Sequence, residues 1–235
     1  MELRSYRRRL SPTLQTLYFK RVSNPLYYRL SEIKFHCVIG RRYEGTEMLQ
    51  HVVFLDRDGV INRDSPDYIK NWSEFEFLPE SIAAMRFLTL SGFTLIVITN
   101  QSAIGRKITS AEDVGHIHAM MQKCLKAEGC EIKDIFLCPH RPDEGCNCRK
   151  PKPGMILSAQ QKYQIDLSTA CMVGDNAGDI ECGRNAGCRY AVLVKTGNSL
   201  VAQKILAEKN IIPDYIADNL YDAAKWIVRE VRSEK

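Results

Sequence analysis

The sequence lacks any long apolar run, and this absence excludes one large class of protein. No stretch approaches the roughly 18 uncharged residues of a membrane-spanning helix, and the first thirty residues lack the basic, apolar, small-residue order of a secretory signal peptide. A disordered chain is also excluded, since 45% of the 235 residues are hydrophobic and the mean hydropathy is −0.26. We therefore expect a cytoplasmic globular protein.

Disulfide bonds are a second feature that the sequence does not favour. The chain has nine cysteines, an odd number, and no export signal that would take them to an oxidising compartment. They are Cys37, Cys124, Cys130, Cys138, Cys146, Cys148, Cys171, Cys182 and Cys188. Reduced thiols or metal ligands are the expected state of these side chains.

An excess of basic charge is absent outside the first fifty residues. Residues 1–50 contain ten Lys or Arg against four Asp or Glu, a net charge of +6, so the remainder carries −1. The leader, residues 1–47, is compatible with an arm that binds nucleic acid or anionic lipid, with an organellar transit peptide, or with an extension outside the native fold. Because Met48 stands four residues before the first convincing strand, we favour the extension and assign the working domain to residues 48–235.

Strands and helices alternate regularly from His51 onward. The predicted strands are 52–55, 93–100, 134–138, 170–174 and 191–195. The predicted helices begin at Pro79, after a capping box of Thr109 and Glu112, at Pro153 and at residue 176. Apolar strands that alternate with helices are typical of a parallel sheet covered on both faces. We predict an α/β, Rossmann-like fold.

Polar side chains gather where these strands end. Asp56 and Asp58 follow the first strand, Thr99 and Asn100 end the second, and Asp175 follows the fourth. Because the carboxyl ends of parallel strands meet at one edge of the sheet, we expect these side chains to converge. Carboxylate oxygens suit a hard cation such as Mg²⁺, which lets a carboxylate approach a phosphate dianion. The pattern therefore predicts a site for phosphoryl transfer.

Four motifs in order resemble the haloacid dehalogenase (HAD) phosphohydrolases. They are FLDRDGVIN at 54–62, VITNQS at 97–102, CRKPKPG at 148–154 and MVGDNAGD at 172–179. The resemblance covers residues 51 to about 198 and implies the HAD fold. Neither gap between the motif-bearing strands is long enough for a cap domain of the usual size, so we expect a capless member.

The resemblance implies a role for each carboxylate. Asp56 would be the nucleophile that forms an aspartyl-phosphate, and Asp58 would protonate the leaving alcohol and later activate water. Mg²⁺ would be held by Asp56, the main-chain carbonyl of Asp58 and Asp175. Asp179 would support these ligands from behind.

The resemblance also implies how the substrate is held. Thr99 and Asn100 would bind phosphate oxygens, and Lys150 would offset their negative charge. Further candidates for contact with the substrate are Asp64, Tyr68, Gln101, Ser102 and Arg149. A guanidinium fork matches the oxygens of a sugar or of a distal phosphate, so Arg149 is assigned to that end of the substrate.

A compact set of metal ligands precedes the third motif. Cys138, His140, Cys146 and Cys148 lie within eleven residues and supply three thiols and one imidazole. This is a complete ligand set for tetrahedral Zn²⁺, with no position left open for water, so the predicted zinc is structural. It would fix a loop too rich in Pro, Gly and charge to pack by itself, and so position Arg149.

The zinc loop followed by RKPKPGM is similar to one branch of that family, the D-glycero-D-manno-heptose 1,7-bisphosphate 7-phosphatases of lipopolysaccharide precursor synthesis. NQSAIGR and DYIADNL are similar to the same branch. Histidinol-phosphate phosphatases share the zinc loop and remain an alternative. One departure is Asn176, where the branch often has a lysine that contacts phosphate.

A function of another class is a zinc-stabilised nucleic-acid-binding module that uses the basic leader. It predicts salt-dependent binding that survives removal of the aspartates, and a polynucleotide 3′-phosphatase would combine both ideas. Our preferred interpretation is a monomeric phosphatase that acts on a small phosphosugar and binds neither nucleic acid nor membranes.

Overall fold

The computed structural model describes residues 48–233. The predicted extension, residues 1–47, lies outside the described residues. In the described part of the chain, no helix is both long and apolar enough to cross a membrane.

Six strands and seven α-helices are found in residues 48–233. The strands are Val52–Leu55 (β1), Thr94–Asn100 (β2), Ile132–Cys138 (β3), Cys171–Gly174 (β4), Tyr190–Val194 (β5) and Tyr215–Ala217 (β6). The helices are Ser81–Leu90 (α1), Ser102–Gly105 (α2), Ala111–Ala127 (α3), Gly154–Tyr163 (α4), Ala177–Ala186 (α5), Ser199–Glu208 (α6) and Leu220–Ser233 (α7). Short 3-10 turns lie at Trp72–Glu74, Pro142–Glu144 and Leu167–Thr169.

The strands form one parallel sheet in the order β3-β2-β1-β4-β5-β6. Leu55, the last residue of β1, is in register with Val97 of β2 on one side and Val173 of β4 on the other. The chain order reverses between β1 and β4, and in open α/β sheets the crevice at such a reversal is where ligands bind. The topology therefore places the segments after β1, β2 and β4 together.

Both faces of the sheet are covered by helices. Val53 and Leu55 of β1 pack with Leu88 of α1 and Ile227 of α7 on one face. Val52 and Phe54 of the same strand face the opposite side, where Ile156 of α4 is part of the same apolar cluster. All four β1 side chains are fully buried, each contributing about 1.5–3 kcal/mol of burial free energy. The predicted α/β, Rossmann-like class is confirmed.

The start of α3 differs from the prediction by one residue. Ser110, and not Thr109, is the N-cap: its Oγ accepts the Asp113 N–H at 3.0 Å, and its own N–H donates to Asp113 Oδ2 at 3.4 Å. The predicted box of Thr109 and Glu112 is wrong because the Thr109 hydroxyl donates instead to the Lys70 carbonyl at 3.0 Å. The capping box is therefore formed by the neighbouring Ser and Asp pair.

Candidate active site

A cavity of about 570 Å³ opens at the carboxyl ends of the central strands. It is lined by eleven of the residues predicted to form the site: Asp56, Asp58, Asp64, Tyr68, Asn100, Gln101, Ser102, Arg149, Lys150, Asp175 and Asp179. Thr99 is different, because it is only 1% exposed and does not line the cavity.

Lys150 is the positive centre of the cavity floor. Its Nζ lies 2.8 Å from Asp56 Oδ1 and 2.6 Å from Asp179 Oδ1, and it donates to the Ile98 carbonyl at 2.9 Å. Burial alone would lower the pKa of Lys150, but the Asp179 and Asp56 carboxylates outweigh it and hold the pKa above the ordinary value. Lys150 is therefore a permanent cation beside the predicted nucleophile.

Three carboxylates lie close together beside Lys150. Among the described residues, Lys150 is the single cation whose side chain pairs with any of them. Oxygen atoms of Asp56, Asp175 and Asp179 lie within 4.8 Å of one another. Burial, together with the nearby Asp179 and Asp175 carboxylates, raises the pKa of Asp56 well above its ordinary value. Burial and Asp179 likewise raise the pKa of Asp175 to about 7. A second cation placed among these oxygens would relieve their repulsion.

Main-chain segments at Gly59 and Gly197 lie close against the Asp175 carboxylate. A Cβ at Gly59 would lie 2.5 Å from Asp175 Oδ2, and a Cβ at Gly197 would lie closer still. The Asn198 N–H donates to the same oxygen at 2.7 Å. The position of this side chain is thus fixed from two loops, the one after β1 and the one after β5. A preformed, oxygen-rich cluster of this kind fits Mg²⁺, which binds carboxylates and carbonyls.

Asp58 is held by a dense set of hydrogen bonds. Arg57 donates from Nη2 to both carboxylate oxygens, at 2.7 and 2.8 Å, and from Nε at 3.1 Å. Asn62 donates to Oδ1 at 2.9 Å and Gln101 to Oδ2 at 2.8 Å. Although burial opposes it, Arg57 and these amides hold the pKa of Asp58 below its ordinary value. Asp58 is therefore a carboxylate at neutral pH in this arrangement.

The residues of the second motif that were predicted to contact the substrate expose little side-chain surface to the cavity. The Gln101 amide donates both to Asp58 and, at 2.9 Å, to Thr99 Oγ1, and Gln101 is 4% exposed. Asn100 exchanges two hydrogen bonds with the main chain of Lys150, at 3.2 and 3.3 Å. Gln101 thus links Asp58 to Thr99, and Asn100 holds the main chain of Lys150, while Ser102 lines the cavity at 7% exposure.

Sequence reasoning missed two buried residues behind Asp58. Arg57 is 1% exposed, and its Nη1 lies 3.2 Å from Nε2 of His118 in α3. His118 is separated from Arg57 by 61 positions, so no local spacing connects them. The only signal was a charged residue between two aspartates, directly after an apolar strand.

The rim of the cavity adds polar groups from several loops. Asn198 Nδ2 donates to Asp64 Oδ2 at 3.1 Å, joining the loop after β1 to the loop after β5. Lys209 Nζ pairs with Glu181 at 2.8 Å, and both line the cavity. Arg106, just after α2, also lines it and was not predicted. The rim therefore carries exposed cations besides Arg149.

The predicted zinc ligands come together beside this cavity. Cys138 Sγ lies 3.6 Å from both His140 Nδ1 and Cys146 Sγ. Cys148 Sγ lies 3.3 Å from His140 Nδ1 and from Cys138 Sγ, and 3.4 Å from Cys146 Sγ. A tetrahedral ion with Zn–S bonds of about 2.3 Å would separate its sulfur ligands by about 3.8 Å. The four donor atoms thus have the spacing and chemistry that suit Zn²⁺.

The cysteine and histidine loop is joined to both sides of the cavity. The Gly105 N–H donates to the Pro139 carbonyl at 2.9 Å, which ties the loop to α2. Arg149 Nη1 donates to the His140 carbonyl at 3.4 Å. Lys152 Nζ donates to the carbonyls of Gly145 and Cys146 at 2.9 and 2.7 Å. The loop geometry therefore bears directly on where the Arg149 side chain lies.

Comparison with known families gives a match to the carboxyl-terminal half of the domain. A family model described as HAD-hydrolase-like matches residues 147–223. This span contains the third and fourth motifs with Lys150, Asp175 and Asp179.

Curated relatives match over most of the chain. A D-glycero-β-D-manno-heptose-1,7-bisphosphate 7-phosphatase of Pseudomonas aeruginosa is 43% identical over 171 residues, which are 72% of this chain and 96% of the relative. A D-glycero-α-D-manno-heptose-1,7-bisphosphate 7-phosphatase of Photorhabdus laumondii is 40% identical over 63% of this chain and 84% of the relative.

A solved structure is similar over the same region. The D,D-heptose 1,7-bisphosphate phosphatase from B. bronchiseptica, complexed with magnesium and phosphate, has a TM-score of 0.70 and 36% identity. The match covers 76% of this chain and 98% of that one. The similarity therefore includes nearly the whole of the solved protein.

Proposed function

This chain belongs to the heptose-1,7-bisphosphate 7-phosphatases among the HAD-like hydrolases, and on that premise we propose that it removes the 7-phosphate of D-glycero-D-manno-heptose 1,7-bisphosphate. It is a phosphatase. The observation that carries the proposal is the cluster of Asp56, Lys150, Asp175 and Asp179 in one cavity of a chain so similar to these enzymes. Relatives of both anomeric names match, so the proposal covers either anomer.

We propose that Asp56 attacks the phosphorus of the 7-phosphate. Its carboxylate faces the cavity and lies 2.8 Å from Lys150, which favours the ionised, nucleophilic form against the effect of burial. Lys150 also offsets the charge that collects on the phosphoryl oxygens during transfer. The bond to the sugar oxygen breaks as the bond to Asp56 forms, giving an aspartyl-phosphate.

Asp58 is proposed as the acid and base of the two steps. It protonates the leaving sugar oxygen, and then takes a proton from the water that attacks the aspartyl-phosphate. The low pKa that Arg57 imposes on Asp58 suits the second task, for which a carboxylate is needed. The first task requires Asp58 to hold a proton when the substrate is bound.

Two metal ions are proposed. Mg²⁺, held by Asp56, the main-chain carbonyl of Asp58 and Asp175, would supply positive charge to the transferred phosphoryl group. The magnesium reported with the similar solved structure supports this assignment. Zn²⁺, held by Cys138, His140, Cys146 and Cys148, would fix the loop that carries Arg149, and the donor spacing supports it.

Substrate contacts are proposed along the cavity wall. Ser102 and Asn100, with Thr99 and Gln101 behind them, would hold the transferred phosphate, and Arg149 would meet the sugar or its distal phosphate. The loop with Asp64 and Tyr68 forms a further part of the wall. An open cavity of this kind suits a small phosphosugar, whereas a polymer substrate would need an extended groove.

The proposed function also includes a cellular compartment and an oligomeric state. None of the eight described cysteines is in a disulfide bond, and we propose a reducing, cytoplasmic compartment. We propose a working monomer.

A phosphate-release screen in the presence of Mg²⁺ tests the proposed substrate. We expect the heptose bisphosphate to have a kcat/KM at least about tenfold above those of histidinol phosphate and a 3′-phosphorylated oligonucleotide. The variant Asp56→Asn should fold normally and lose turnover of every substrate. Preference for histidinol phosphate would contradict the substrate while leaving the chemistry intact, and an active Asp56→Asn would contradict the chemistry.

A further inference from the structure

Arg57 is a buried cation that makes most of its side-chain hydrogen bonds to one proposed catalytic group. The side chain is 1% exposed, and three of its hydrogen bonds go to Asp58, at 2.7, 2.8 and 3.1 Å. The fork geometry of a guanidinium makes such a bidentate pair directional, so its orientation sets that of the carboxylate. Whatever orients Arg57 therefore orients Asp58 as well.

His118 contacts the Arg57 guanidinium from outside the cavity. It belongs to α3, is 7% exposed and does not line the cavity. Its Nε2 lies 3.2 Å from Arg57 Nη1, and because a guanidinium only donates, Nε2 must be the acceptor. Nδ1 then carries the proton, and the ring is the neutral tautomer.

The proton transfers of the proposed mechanism depend on where the Asp58 carboxylate points. Asn62 and Gln101 also donate to it, but each supplies one hydrogen bond, whereas Arg57 supplies three. An error of about 1 Å in the position of a catalytic group is enough to cost about 10²-fold in rate. A residue that fixes Arg57 can thus control the rate without touching the substrate.

We propose that His118 is a positioning residue for catalysis, which holds Arg57 so that Arg57 aims the Asp58 carboxylate at the water that attacks the aspartyl-phosphate. This inference rests on the proposed function. In the step concerned, the water oxygen bonds to phosphorus, its proton moves to an Asp58 oxygen, and the P–O bond to Asp56 breaks. The electron pair of that bond restores the Asp56 carboxylate.

The test uses p-nitrophenyl phosphate, whose leaving group needs no proton, so that only the second step requires Asp58. Rapid mixing of the Mg²⁺-loaded, zinc-replete enzyme with this substrate measures nitrophenolate release in the first turnover and in the steady state. The variants are His118→Phe, which removes the acceptor, and His118→Gln, whose amide oxygen restores one. The matched control is His116→Phe, the same change at an exposed position of the same helix.

We expect His118→Phe to form the aspartyl-phosphate within about twofold of the normal rate and to hydrolyse it at least about tenfold more slowly. A burst of nitrophenolate equal to the enzyme concentration should then appear. His118→Gln should return most of the steady-state rate, and His116→Phe should match the unmodified enzyme. A general loss of folding would instead lower the burst amplitude and the circular-dichroism melting temperature together.

Asp58→Asn separates failure of this inference from failure of the proposed function. If Asp58→Asn shows a burst and His118→Phe does not, or if both phases of His118→Phe fall equally, the positioning role is overturned. If Asp58→Asn shows no burst and normal steady-state turnover, the proposed mechanism is wrong, and the inference fails with it.

Discussion

At the scale of single residues, the site is a set of ion pairs in which carboxylates outnumber cations. Lys150 pairs with Asp56 and Asp179, and Arg57 pairs with Asp58. Removing Lys150 or Arg57 would leave its carboxylate partners without compensation, and breaking a buried pair in this way typically costs about 3–5 kcal/mol. Catalysis and stability are therefore coupled at these positions.

His118 predicts a specific dependence of stability on pH. Burial and the adjacent Arg57 lower its pKa from 6.5 to about 4 in the folded protein. Between these values the unfolded chain binds more protons than the folded one, so this residue removes stability as the pH falls from about 6.5 to 4. The penalty at the acid end is up to about 3 kcal/mol.

Urea denaturation between pH 7 and 4.5 checks this prediction. The stability curve of His118→Gln should be flatter than that of the unmodified protein, because the carboxylates and zinc ligands common to both cancel in the difference. Parallel curves would contradict the buried, neutral imidazole.

Gly197 tests how strictly Asp175 is fixed. A Cβ at Gly197 would overlap the Asp175 carboxylate, and Gly197 is not among the glycines with positive φ, so Gly197→Ala acts by displacing that carboxylate. We expect the Mg²⁺ concentration for half-maximal activity to rise at least about tenfold. Activity titrated against Mg²⁺ measures it.

The matched control is Gly115→Ala in α3, where an added Cβ meets nothing within 4 Å. This variant should keep the Mg²⁺ requirement and gain about 0.5–1 kcal/mol of stability, since alanine is the better helix former. Equal Mg²⁺ requirements in the two variants would show that Asp175 does not hold the metal.

At the scale of elements, the loop between β3 and α4 is the part that cannot hold itself in place by packing. Pro142–Glu144 is exposed, and the loop is anchored by hydrogen bonds at its base and by the cluster of cysteines and a histidine. Structural zinc supplies large folding free energies to such segments, about 10–16 kcal/mol in small zinc domains. Loss of the ion should therefore disorder the loop while the sheet stays folded.

Cys146→Ser should remove the bound zinc and lower kcat/KM for the bisphosphate at least about tenfold, because the Arg149 contact to the loop is lost. Cys124→Ser, a change at a thiol of α3 outside the cluster, should leave the zinc content and kinetics unchanged. Metal analysis, circular dichroism and steady-state kinetics measure these quantities. Full activity of a zinc-free Cys146→Ser would contradict a role for the metal in placing Arg149.

Elements with strong local signals were predictable from the sequence. β1, β2, β4 and β5 are apolar and buried, and their predicted limits agree with the structure to within a residue. Four elements, α2, α6, β6 and α7, were not predicted from the sequence. β6 has three residues, two of them partly or fully exposed, so its pattern is too short to be distinct from a loop.

The site residues also differ in how far they could be predicted from the sequence. The cysteine and histidine cluster is local in sequence, and its spacing alone brings the ligands into one group. The contact of Arg57 with His118 depends on how α3 packs against the loop after β1, and the choice between Thr109 and Ser110 as helix cap depends on a distant carbonyl at Lys70. Such tertiary contacts have no local sequence signal.

At the scale of the whole molecule, the sheet order determines the chemistry. The reversal between β1 and β4 brings Asp56 and Asp175 together from segments far apart in the chain. The crossovers between strands let both the cysteine and histidine loop and the loop after β1 contribute residues to one cavity. The fold thus brings together the proposed nucleophile, the proposed acid and base, the proposed metal site and the proposed substrate wall from separate parts of the sequence.

Trapping the covalent intermediate tests the central claim most directly. Asp58→Asn is mixed with Mg²⁺ and p-nitrophenyl phosphate, whose leaving group needs no proton from Asp58, quenched in acid after one turnover, and digested for mass spectrometry. We predict one phosphoryl group on the peptide that contains Asp56, and none when Asp56→Asn is combined with the same change. A phosphoryl group on another residue, or released inorganic phosphate with no phosphorylated peptide at any time, would contradict the account.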